Sequence, residues 1–494
     1  MPAAGALSTL SFAPWGWWPL QILTLSLLFA AVLQAPDRKR AGLYGWLFSF
    51  GWQVSGYWWL YVSMHQFGGL PGWMAVLAVA LLAAALGLLA GIAMGLAEWL
   101  QQRGTSRTLV ALGGLPSLWM LSEWTRGWIF TGFPWVVSGY AHTDGVLAGF
   151  APLIGVYGVG FVAALLAACL ALFERRALAL AILVVAAGIG LKPVQWTAPH
   201  GQPLQVRLLQ GNVPQEMKFE YGQVQAALAM YREAITAEPA DLVATPETAL
   251  PMLAQRLPLD YLPSLQEFAQ RSGTHIALGI PFSDNPNDYS NSVLGISPQG
   301  GPLYRYDKHH LVPFGEFIPP GARWFVAMMN IPLGDFKRAP VLQGAFPVKD
   351  QKVLPNICYE DLFGEEIAAQ LLYDWRRGSM PATVLLNVSN IAWFGDTIAL
   401  PQHLQISRMR SLETGRPMLR ATNTGMTAVV DARGQVSALL PPYTRGVLTA
   451  TVQGMQGATP YMLAGNLSIL LLAALLLAWC WRAARRAARA RGKL

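Results

Sequence analysis

The stretch Asn356-Ile357-Cys358-Tyr359-Glu360-Asp361 decides the fold of the second half of the chain, because an apolar strand ends there and a helix begins. The flanking patterns predict a strand over 353–358 and a helix over 361–376. Side chains at strand ends of an α/β sheet face a crevice, where ligands bind. A thiol at such a turn also lies near helix N–H groups, which favour the thiolate. We therefore expect Cys358 in the crevice of an α/β domain.

Two other strand ends carry the groups that a cysteine nucleophile needs. Glu247 lies in Ala244-Thr245-Pro246-Glu247-Thr248-Ala249, and Lys308 lies in Tyr306-Asp307-Lys308-His309-His310-Leu311-Val312-Pro313-Phe314-Gly315-Glu316. A carboxylate could accept the thiol proton, and an ammonium could stabilise the oxyanion of a tetrahedral intermediate. Taken singly, each residue also has a structural interpretation: a buried small side chain, a helix cap and a surface lysine. Together in one α/β domain, they predict a nucleophile, a base and an electrophile.

The rest of the second half alternates between strand and helix patterns, which is typical of a layered α/β domain with buried sheets. Residues 314–345 fit neither pattern and predict a long arm, whose Trp324, Phe325, Met328 and Met329 are expected to contact lipid. The predicted strands span 204–209, 241–245, 275–280, 290–297, 302–306, 353–358, 382–388, 418–423, 426–430 and 446–452. The predicted helices span 222–237, 259–272, 361–376 and 402–415, and a hairpin turn is predicted at 431–434.

The first half of the chain and its end are predicted to lie in a membrane. Of 494 residues, 53% are hydrophobic and only 13% are charged, whereas a soluble domain carries about 25% charged residues. This composition excludes a disordered chain and argues against an entirely soluble protein. A spanning helix needs about 20 mostly apolar residues, and residues 1–14 are expected to form a half-length helix, so we expect about eight transmembrane helices. The apolar runs cover 16–34, 42–64, 73–99, 107–126, 146–173, 176–192 and 461–481.

The distribution of Lys and Arg predicts the orientation. Much of the net charge of +8 lies in a basic tail beside an apolar run, which argues against nucleic acid as a partner. Every second short loop is basic, and such loops face the cytoplasm. These loops hold Arg38, Lys39 and Arg40, then Arg103 and Arg107, then Arg175 and Arg176. The predicted domains are transmembrane helices over 1–192, a periplasmic catalytic domain over 193–458, a last transmembrane helix over 459–481 and a cytoplasmic tail over 482–494.

Further motifs carry a resemblance to a known family. The chain resembles the apolipoprotein N-acyltransferases, membrane-embedded members of the nitrilase (carbon–nitrogen hydrolase) superfamily, over nearly its whole length. It departs from the family pattern at Phe219, where Trp is usual, and at Ile391, where Asp is usual; both are expected to tune substrate contacts. Beyond the three motifs above, the resemblance is carried by Gln210-Gly211-Asn212-Val213-Pro214-Gln215, Trp393-Phe394-Gly395-Asp396, Arg410-Ser411-Leu412-Glu413-Thr414-Gly415-Arg416-Pro417 and Arg420-Ala421-Thr422-Asn423-Thr424-Gly425.

The resemblance implies an αββα sandwich with a Glu–Lys–Cys triad. By motif, Glu247 corresponds to the general base, Lys308 to the oxyanion-stabilising residue and Cys358 to the nucleophile. Glu316 corresponds to an additional essential acid. Supporting residues are Tyr359 and Glu360. Expected substrate contacts are Phe219, Trp393, Glu123 and Arg126; the last two are spaced to pair with each other or to meet a phospholipid head group.

The resemblance also implies the reaction. The family transfers an acyl chain from a phospholipid, typically phosphatidylethanolamine, to cysteine as a thioester. The acyl group then passes to the α-amino group of the diacylglyceryl-cysteine at an apolipoprotein N-terminus. We expect no cofactor and no metal, and a monomer in the bacterial inner membrane with its catalytic domain in the periplasm and its C-terminus in the cytoplasm. The arm at 314–345 is expected to keep water from the thioester.

Two other functions compete with this interpretation. A membrane-anchored amidase of the nitrilase type would use the same triad, but it needs one anchoring helix rather than seven or eight. A transporter with a periplasmic binding domain predicts ionisable residues within the helices, and only Glu98, Glu123 and Arg126, near helix ends, fit that description.

Overall fold

The computed structural model describes residues 1–214, 221–285, 288–318, 336–490 and 492. Two compact units make up the chain. A helical unit comprises Met1–Tyr61, Pro71–Gln195 and Ala464–Leu494, and an α/β unit comprises Val62–Leu70 and Trp196–Leu463. The predicted site residue Phe219 and most of the predicted arm, with Trp324, Phe325, Met328 and Met329, lie outside the described residues.

The helical unit consists of apolar helices, and one of them begins at a side-chain cap. The Asp37 carboxylate accepts hydrogen bonds from the backbone N–H groups of Lys39 and Arg40, at 2.8 and 2.9 Å, and so begins one helix. Small residues let neighbouring helices approach: a Cβ on Gly45 would lie 2.5 Å from Met94 Cγ. The helices span Pro2–Leu7, Trp18–Leu33, Arg38–Tyr57, Gly72–Gln102, Leu115–Arg126, Ala151–Leu172, Arg175–Leu191 and Leu467–Ala490.

Within the described residues, three helices are long and apolar enough to cross a membrane: Gly72–Gln102, Val146–Leu172 and Leu467–Ala490. Trp18–Leu33 is apolar but shorter. The last helix begins later than the predicted segment and continues through the basic residues to Ala490. The prediction of membrane helices is thus supported, whereas the count of about eight spans stays a prediction.

The α/β unit contains fourteen strands in its described residues, arranged in two six-stranded sheets and one small ribbon. One sheet has the strand order β13-β2-β3-β4-β5-β6, the other has β12-β11-β10-β9-β8-β7, and β1 pairs with β14. The strands are β1 Thr197–Pro199, β2 Leu204–Gln210, β3 Leu242–Ala244, β4 His275–Asn285, β5 Asp288–Ile296, β6 Tyr304–Asp307, β7 Phe346–Val348, β8 Gln351–Ile357, β9 Val384–Ser389, β10 Met418–Thr422, β11 Ala428–Val430, β12 Val436–Leu439, β13 Gly446–Val452 and β14 Met455–Gly457.

The two large sheets pack face to face with helices on both outer faces. Side chains such as Val206 and Val384 fill the core between the sheets. Helices Tyr221–Thr236 and Tyr261–Ser272 cover the first sheet, and helices Gly364–Arg376 and Ala399–Thr414 cover the second. The layer order is therefore the αββα sandwich that the resemblance implied.

The parallel strands place the motifs. Strands β2, β3 and β4 run parallel in one sheet, and β8, β9 and β10 run parallel in the other. Glu247 follows β3, Cys358 follows β8 and Asn390 follows β9, so each lies just past the carboxyl end of a parallel strand. Such ends are where α/β folds place their functional groups.

Candidate active site

Cys358 lies at the end of β8, where a 3₁₀ turn over Cys358–Leu362 separates the strand from helix Gly364–Arg376. Its φ of 52° is in the left-handed region, which a residue with a side chain seldom adopts. Thr248, next to Glu247, and Phe314, near Glu316, also have positive φ values, of 47° and 62°. Such backbone conformations occur at functional sites, where the surrounding structure holds them in place.

A buried ammonium lies between two carboxylates. Lys308 Nζ is 3.1 Å from Glu247 Oε1 and 2.9 Å from Glu316 Oε1. Asn291 Nδ2 donates to the same two oxygens, at 2.7 and 2.9 Å. Lys308 is 1% exposed, Glu247 7% and Glu316 8%. With both carboxylates and the ammonium ionised, the cluster has one negative charge in excess, so a carboxylate remains able to accept a proton.

Backbone groups hold the two carboxylates in place. The N–H of Asn390 donates to Glu247 Oε2, and the N–H of Val312 donates to Glu316 Oε2, both at 2.9 Å. Because Asn390 follows β9 and Glu247 follows β3, this contact joins the two sheets at the site.

The charges of this cluster act on the Cys358 thiol. Burial raises the pKa of the thiol well above its ordinary value; the Glu247 carboxylate raises it further, and the Lys308 ammonium lowers it. Burial lowers the pKa of Lys308, but the neighbouring charges of Glu247 and Glu316 outweigh burial and raise it. Burial and carboxylate charge thus oppose the helix N–H groups, which by themselves favour the thiolate. A base must remove the thiol proton as the sulfur attacks.

Glu360 ties the nucleophile turn to the loop that carries Lys308. Its carboxylate accepts from the N–H groups of Ile357, His309 and His310, at 2.7, 2.6 and 3.1 Å, and from the Tyr306 hydroxyl at 3.0 Å. Burial raises its pKa to about 7, although the three backbone N–H groups and the Lys308 charge lower it. Glu360, which was predicted as a supporting residue, thus accepts four hydrogen bonds that hold the turn in place.

Two other predicted residues, Tyr359 and Trp393, lie outside the cluster of Lys308 and its two carboxylates. Tyr359 is buried and its ring lies 5.8 Å from that of His310. Trp393 is half-buried, three residues beyond Asn390, and packs edge-to-face against Phe67 with ring centroids 5.7 Å apart. The structure thus brings Glu247, Lys308, Glu316, Cys358 and Glu360 into one site.

Glu123 and Arg126 lie in the helical unit, both buried, near the end of helix Leu115–Arg126. Glu123 Oε1 is 3.9 Å from Arg126 Nη2 and accepts from the backbone N–H and the hydroxyl of Ser138, both at 2.8 Å. Arg126 also donates to the Tyr57 hydroxyl and to the Val136 carbonyl. This is the pairing alternative left open by the sequence; contact with a head group stays a prediction.

Sequence reasoning missed several polar residues around the site. Asn291 lies within β5 and Asn387 within β9, and each donates to a group of the site. A buried amide must find a partner, so the position of Asn387 in the apolar run of β9 was an available signal, whereas Asn291 lies between Ser290 and Ser292 and had none. His403 had no such signal, since a histidine on a helix is common.

Comparisons with known proteins decide the family. Residues 4–169 match the model of the apolipoprotein N-acyltransferase N-terminal domain, and residues 205–461 match that of the carbon-nitrogen hydrolases. The apolipoprotein N-acyltransferase of Ralstonia nicotianae is 53% identical over 94% of this chain and 88% of its own length. The chain belongs to the apolipoprotein N-acyltransferase family. It is therefore an acyltransferase with a nitrilase-type domain.

Two further proteins show the range of the similarity. The apolipoprotein N-acyltransferase of Bordetella bronchiseptica is 43% identical over 97% of this chain and 95% of its own length. Among solved structures, the C. elegans NitFhit protein is 17% identical, with a TM-score of 0.40, over 51% of this chain and 61% of that chain. The assignment to the apolipoprotein N-acyltransferases rests on the sequence matches.

Proposed function

We propose that this chain moves an acyl group from a membrane phospholipid, phosphatidylethanolamine, to the N-terminal amine of diacylated apolipoproteins through a thioester on Cys358. The observation that carries the proposal is the buried Lys308 between Glu247 and Glu316, whose charges act on the Cys358 thiol. This arrangement joins a nucleophile, a base and a cation in one site. It assigns no step to a cofactor or a metal.

In the first step the thiol attacks the ester carbonyl of the phospholipid. Glu247 takes the proton from sulfur as the C–S bond forms, and Lys308 stabilises the negative charge that develops on the carbonyl oxygen. The ester C–O bond then breaks. The leaving lysophospholipid oxygen takes the proton from Glu247, which leaves the thioester.

In the second step the neutral α-amino group of the diacylglyceryl-cysteine attacks the thioester carbonyl. Glu247 takes a proton from the nitrogen, the C–S bond breaks, and the sulfur regains the proton. The products are an amide and the free thiol. Because both substrates are bulky and lipid-anchored, a covalent intermediate lets one crevice serve them in turn, which predicts ping-pong kinetics.

The choice of Glu247 over Glu316 as the base follows from their effects on the thiol. Both carboxylates contact Lys308, but the charge of Glu247 raises the pKa of Cys358 more than that of Glu316 does. Glu316 accepts from the Lys308 ammonium and from the Val312 N–H. We therefore assign proton transfer to Glu247 and positioning of the ammonium to Glu316.

A lipid donor accounts for the helical unit. Withdrawing an acyl chain from a bilayer costs about 0.8 kcal/mol per CH₂ group, so an enzyme embedded beside its donor avoids that cost. We propose about eight spans in the bacterial inner membrane, the α/β unit in the periplasm, and the C-terminus in the cytoplasm. The enzyme acts as a monomer, with Phe219 and Trp393 in contact with its substrates.

Steady-state kinetics test this function. The purified full chain in phosphatidylethanolamine vesicles is given a synthetic peptide with an N-terminal diacylglyceryl-cysteine, and both concentrations are varied. We expect N-acylated peptide and parallel double-reciprocal lines. The matched control is the same peptide with an acetylated N-terminus. This peptide has no free amine and should accept no acyl group. Absence of N-acylation, or intersecting lines, would contradict the proposal; hydrolysis of small amides without lipid would instead favour the amidase.

A further inference from the structure

A cluster of four buried polar side chains packs against the turn that carries Cys358. None of them takes part in the acyl-transfer steps proposed above. Asp361, His403, Ser407 and Arg420 are each at most 1% exposed. Asp361 belongs to the turn over Cys358–Leu362, His403 and Ser407 lie one helical turn apart on helix Ala399–Thr414, and Arg420 lies on β10. Three elements therefore meet behind the turn that carries the thiol.

Asp361 and Arg420 form the charged pair of this group. Arg420 Nη1 is 3.1 Å from Asp361 Oδ2, and Ser407 hydrogen-bonds to both side chains. The other carboxylate oxygen, Asp361 Oδ1, lies 3.0 Å from His403 Nε2. Although burial raises the pKa of Asp361, these neighbours outweigh burial and lower it, so the carboxylate stays ionised.

Arg420 determines which nitrogen of His403 carries the proton. Arg420 Nη2 lies 3.0 Å from His403 Nδ1. A guanidinium can only donate hydrogen bonds, so Nδ1 must accept and carries no proton. The ring proton is then on Nε2. Nε2–H faces two acceptors, Asp361 Oδ1 at 3.0 Å and the backbone carbonyl oxygen of Cys358 at 3.3 Å.

We propose that His403 is a positioning residue for acyl transfer: its Nε2–H, held by Asp361 and Arg420, anchors the carbonyl of Cys358 and keeps that residue in its left-handed conformation. The inference rests on the proposed role of Cys358 as the nucleophile. Asn387 Nδ2 donates to the same carbonyl at 3.2 Å. The carbonyl is thus held from strand β9 and from helix Ala399–Thr414, and rotation of the peptide that would turn the thiol away breaks both contacts.

Two substitutions of His403 separate positioning of Cys358 from support of Arg420. In His403→Gln the side-chain nitrogen can occupy the place of Nε2 and donate to the Cys358 carbonyl. In His403→Asn the side-chain oxygen can occupy the place of Nδ1 and accept from Arg420, but its amide is too short to reach that carbonyl. If the role of His403 is to position Cys358, only the Gln variant keeps the hydrogen bond to the Cys358 carbonyl and should retain activity.

The experiment compares both variants in the full chain by the rate at which iodoacetamide alkylates Cys358 at fixed pH, by kcat and KM for acyl transfer, and by thermal melting. We expect His403→Gln to stay within about threefold of the native alkylation rate and kcat. We expect His403→Asn to lose about 10²-fold in kcat, as a displaced reacting group does, with KM nearly unchanged. Arg408→Lys, on the same helix but outside this cluster, is the control and should stay near native.

The inference is overturned if His403→Asn matches His403→Gln in alkylation rate and kcat, or if both fall together with their melting temperatures. Should His403→Asn fail to fold, the Gln variant still decides, because loss of its alkylation rate at a native melting temperature contradicts the proposal. Alkylation requires no acyl donor, so it tests the inference even if native enzyme forms no acyl adduct; that failure counts against the proposed function alone.

Discussion

At the scale of single residues, the site depends on a cation shared by two carboxylates. Lys308 is 1% exposed, and its removal leaves Glu247 and Glu316 buried beside each other without their ammonium. Removing one partner of a buried ion pair costs about 3–5 kcal/mol. We therefore expect Lys308→Met to lower the melting temperature and to abolish acyl transfer.

A double substitution separates these two effects. In Lys308→Met/Glu316→Gln one carboxylate is neutral, so the melting temperature should recover in part, whereas transfer should stay absent because no cation faces the oxyanion. Recovery of transfer in the double variant would show that Lys308 only neutralises its neighbours.

A second prediction at this scale concerns the reactivity of the thiol. The Glu247 charge raises the pKa of Cys358, so Glu247→Gln lowers that pKa and increases the thiolate fraction at a fixed pH below it. Alkylation by iodoacetamide at pH 9 should therefore accelerate while acyl transfer is lost with the base. The matched control is Glu238→Gln, whose side chain is 73% exposed. Slower alkylation in Glu247→Gln would contradict the proximity of the two groups.

At the scale of elements, the turn that bears Glu247 leaves no space for a side chain on strand β4. A Cβ on Gly279 would lie 1.9 Å from the Pro246 carbonyl oxygen and 3.0 Å from Glu247 Cα. Gly279→Ala should displace the base and lower kcat by about 10²-fold without removing any reacting group. Gly222→Ala, where a Cβ meets nothing within 4 Å, is the control. An unchanged kcat in Gly279→Ala would show that the turn adapts.

The turn held by Glu360 predicts a pH dependence of stability. Burial raises its pKa from 4.5 to about 7. Between these values the folded chain binds more protons than the unfolded chain, so this contribution to stability is full below pH 4.5 and is lost as the pH rises through 7. Glu360→Gln is neutral throughout and lacks this loss. The melting temperature of the native chain minus that of the variant should therefore shrink from pH 5 to pH 8; a constant difference would contradict the raised pKa.

The elements that sequence predicts well are those with long apolar runs. Strands β2 and β9 are buried along nearly their whole length, and β9 stands out as such a run. Strands β1, β7, β12 and β14 were not predicted: each has only three or four residues, and β7 contains Pro347. The equally short β3 and β11 were predicted within longer apolar stretches. The hairpin was confirmed: Asp431 Oδ1 accepts from the N–H groups of Arg433 and Gln435, and Gly434 has a φ of 73°.

The site was predicted as a set of residues, not as a geometry. Strand-end motifs place Glu247, Lys308 and Cys358 at sheet edges. The number of residues between the motifs, however, does not determine how far apart the two sheets lie, so the distances between these side chains could not be predicted. Burial, which the motifs do not show, raises the pKa of the thiol and makes a base necessary. Asn291 and His403 act through contacts across the fold, and no local pattern distinguishes them from other polar residues.

At the scale of the whole molecule, the proposed orientation can be tested with single cysteines in a Cys358→Ala chain, since Cys169 and Cys480 are buried. Arg433 and Gln102 are exposed within the α/β unit and the helical unit, respectively. A membrane-impermeant maleimide added to intact spheroplasts should label Arg433→Cys and should not label Gln102→Cys until the membrane is opened. The reverse pattern would contradict a periplasmic α/β unit.

The central claim is that Cys358 carries the acyl group between two lipid-anchored substrates. The most direct test incubates the purified chain with phosphatidylethanolamine alone and measures the mass of the peptide that contains Cys358. We predict one added acyl group that hydroxylamine removes, and none in Cys358→Ala. An unmodified Cys358, or an adduct that persists in Cys358→Ala, would contradict it.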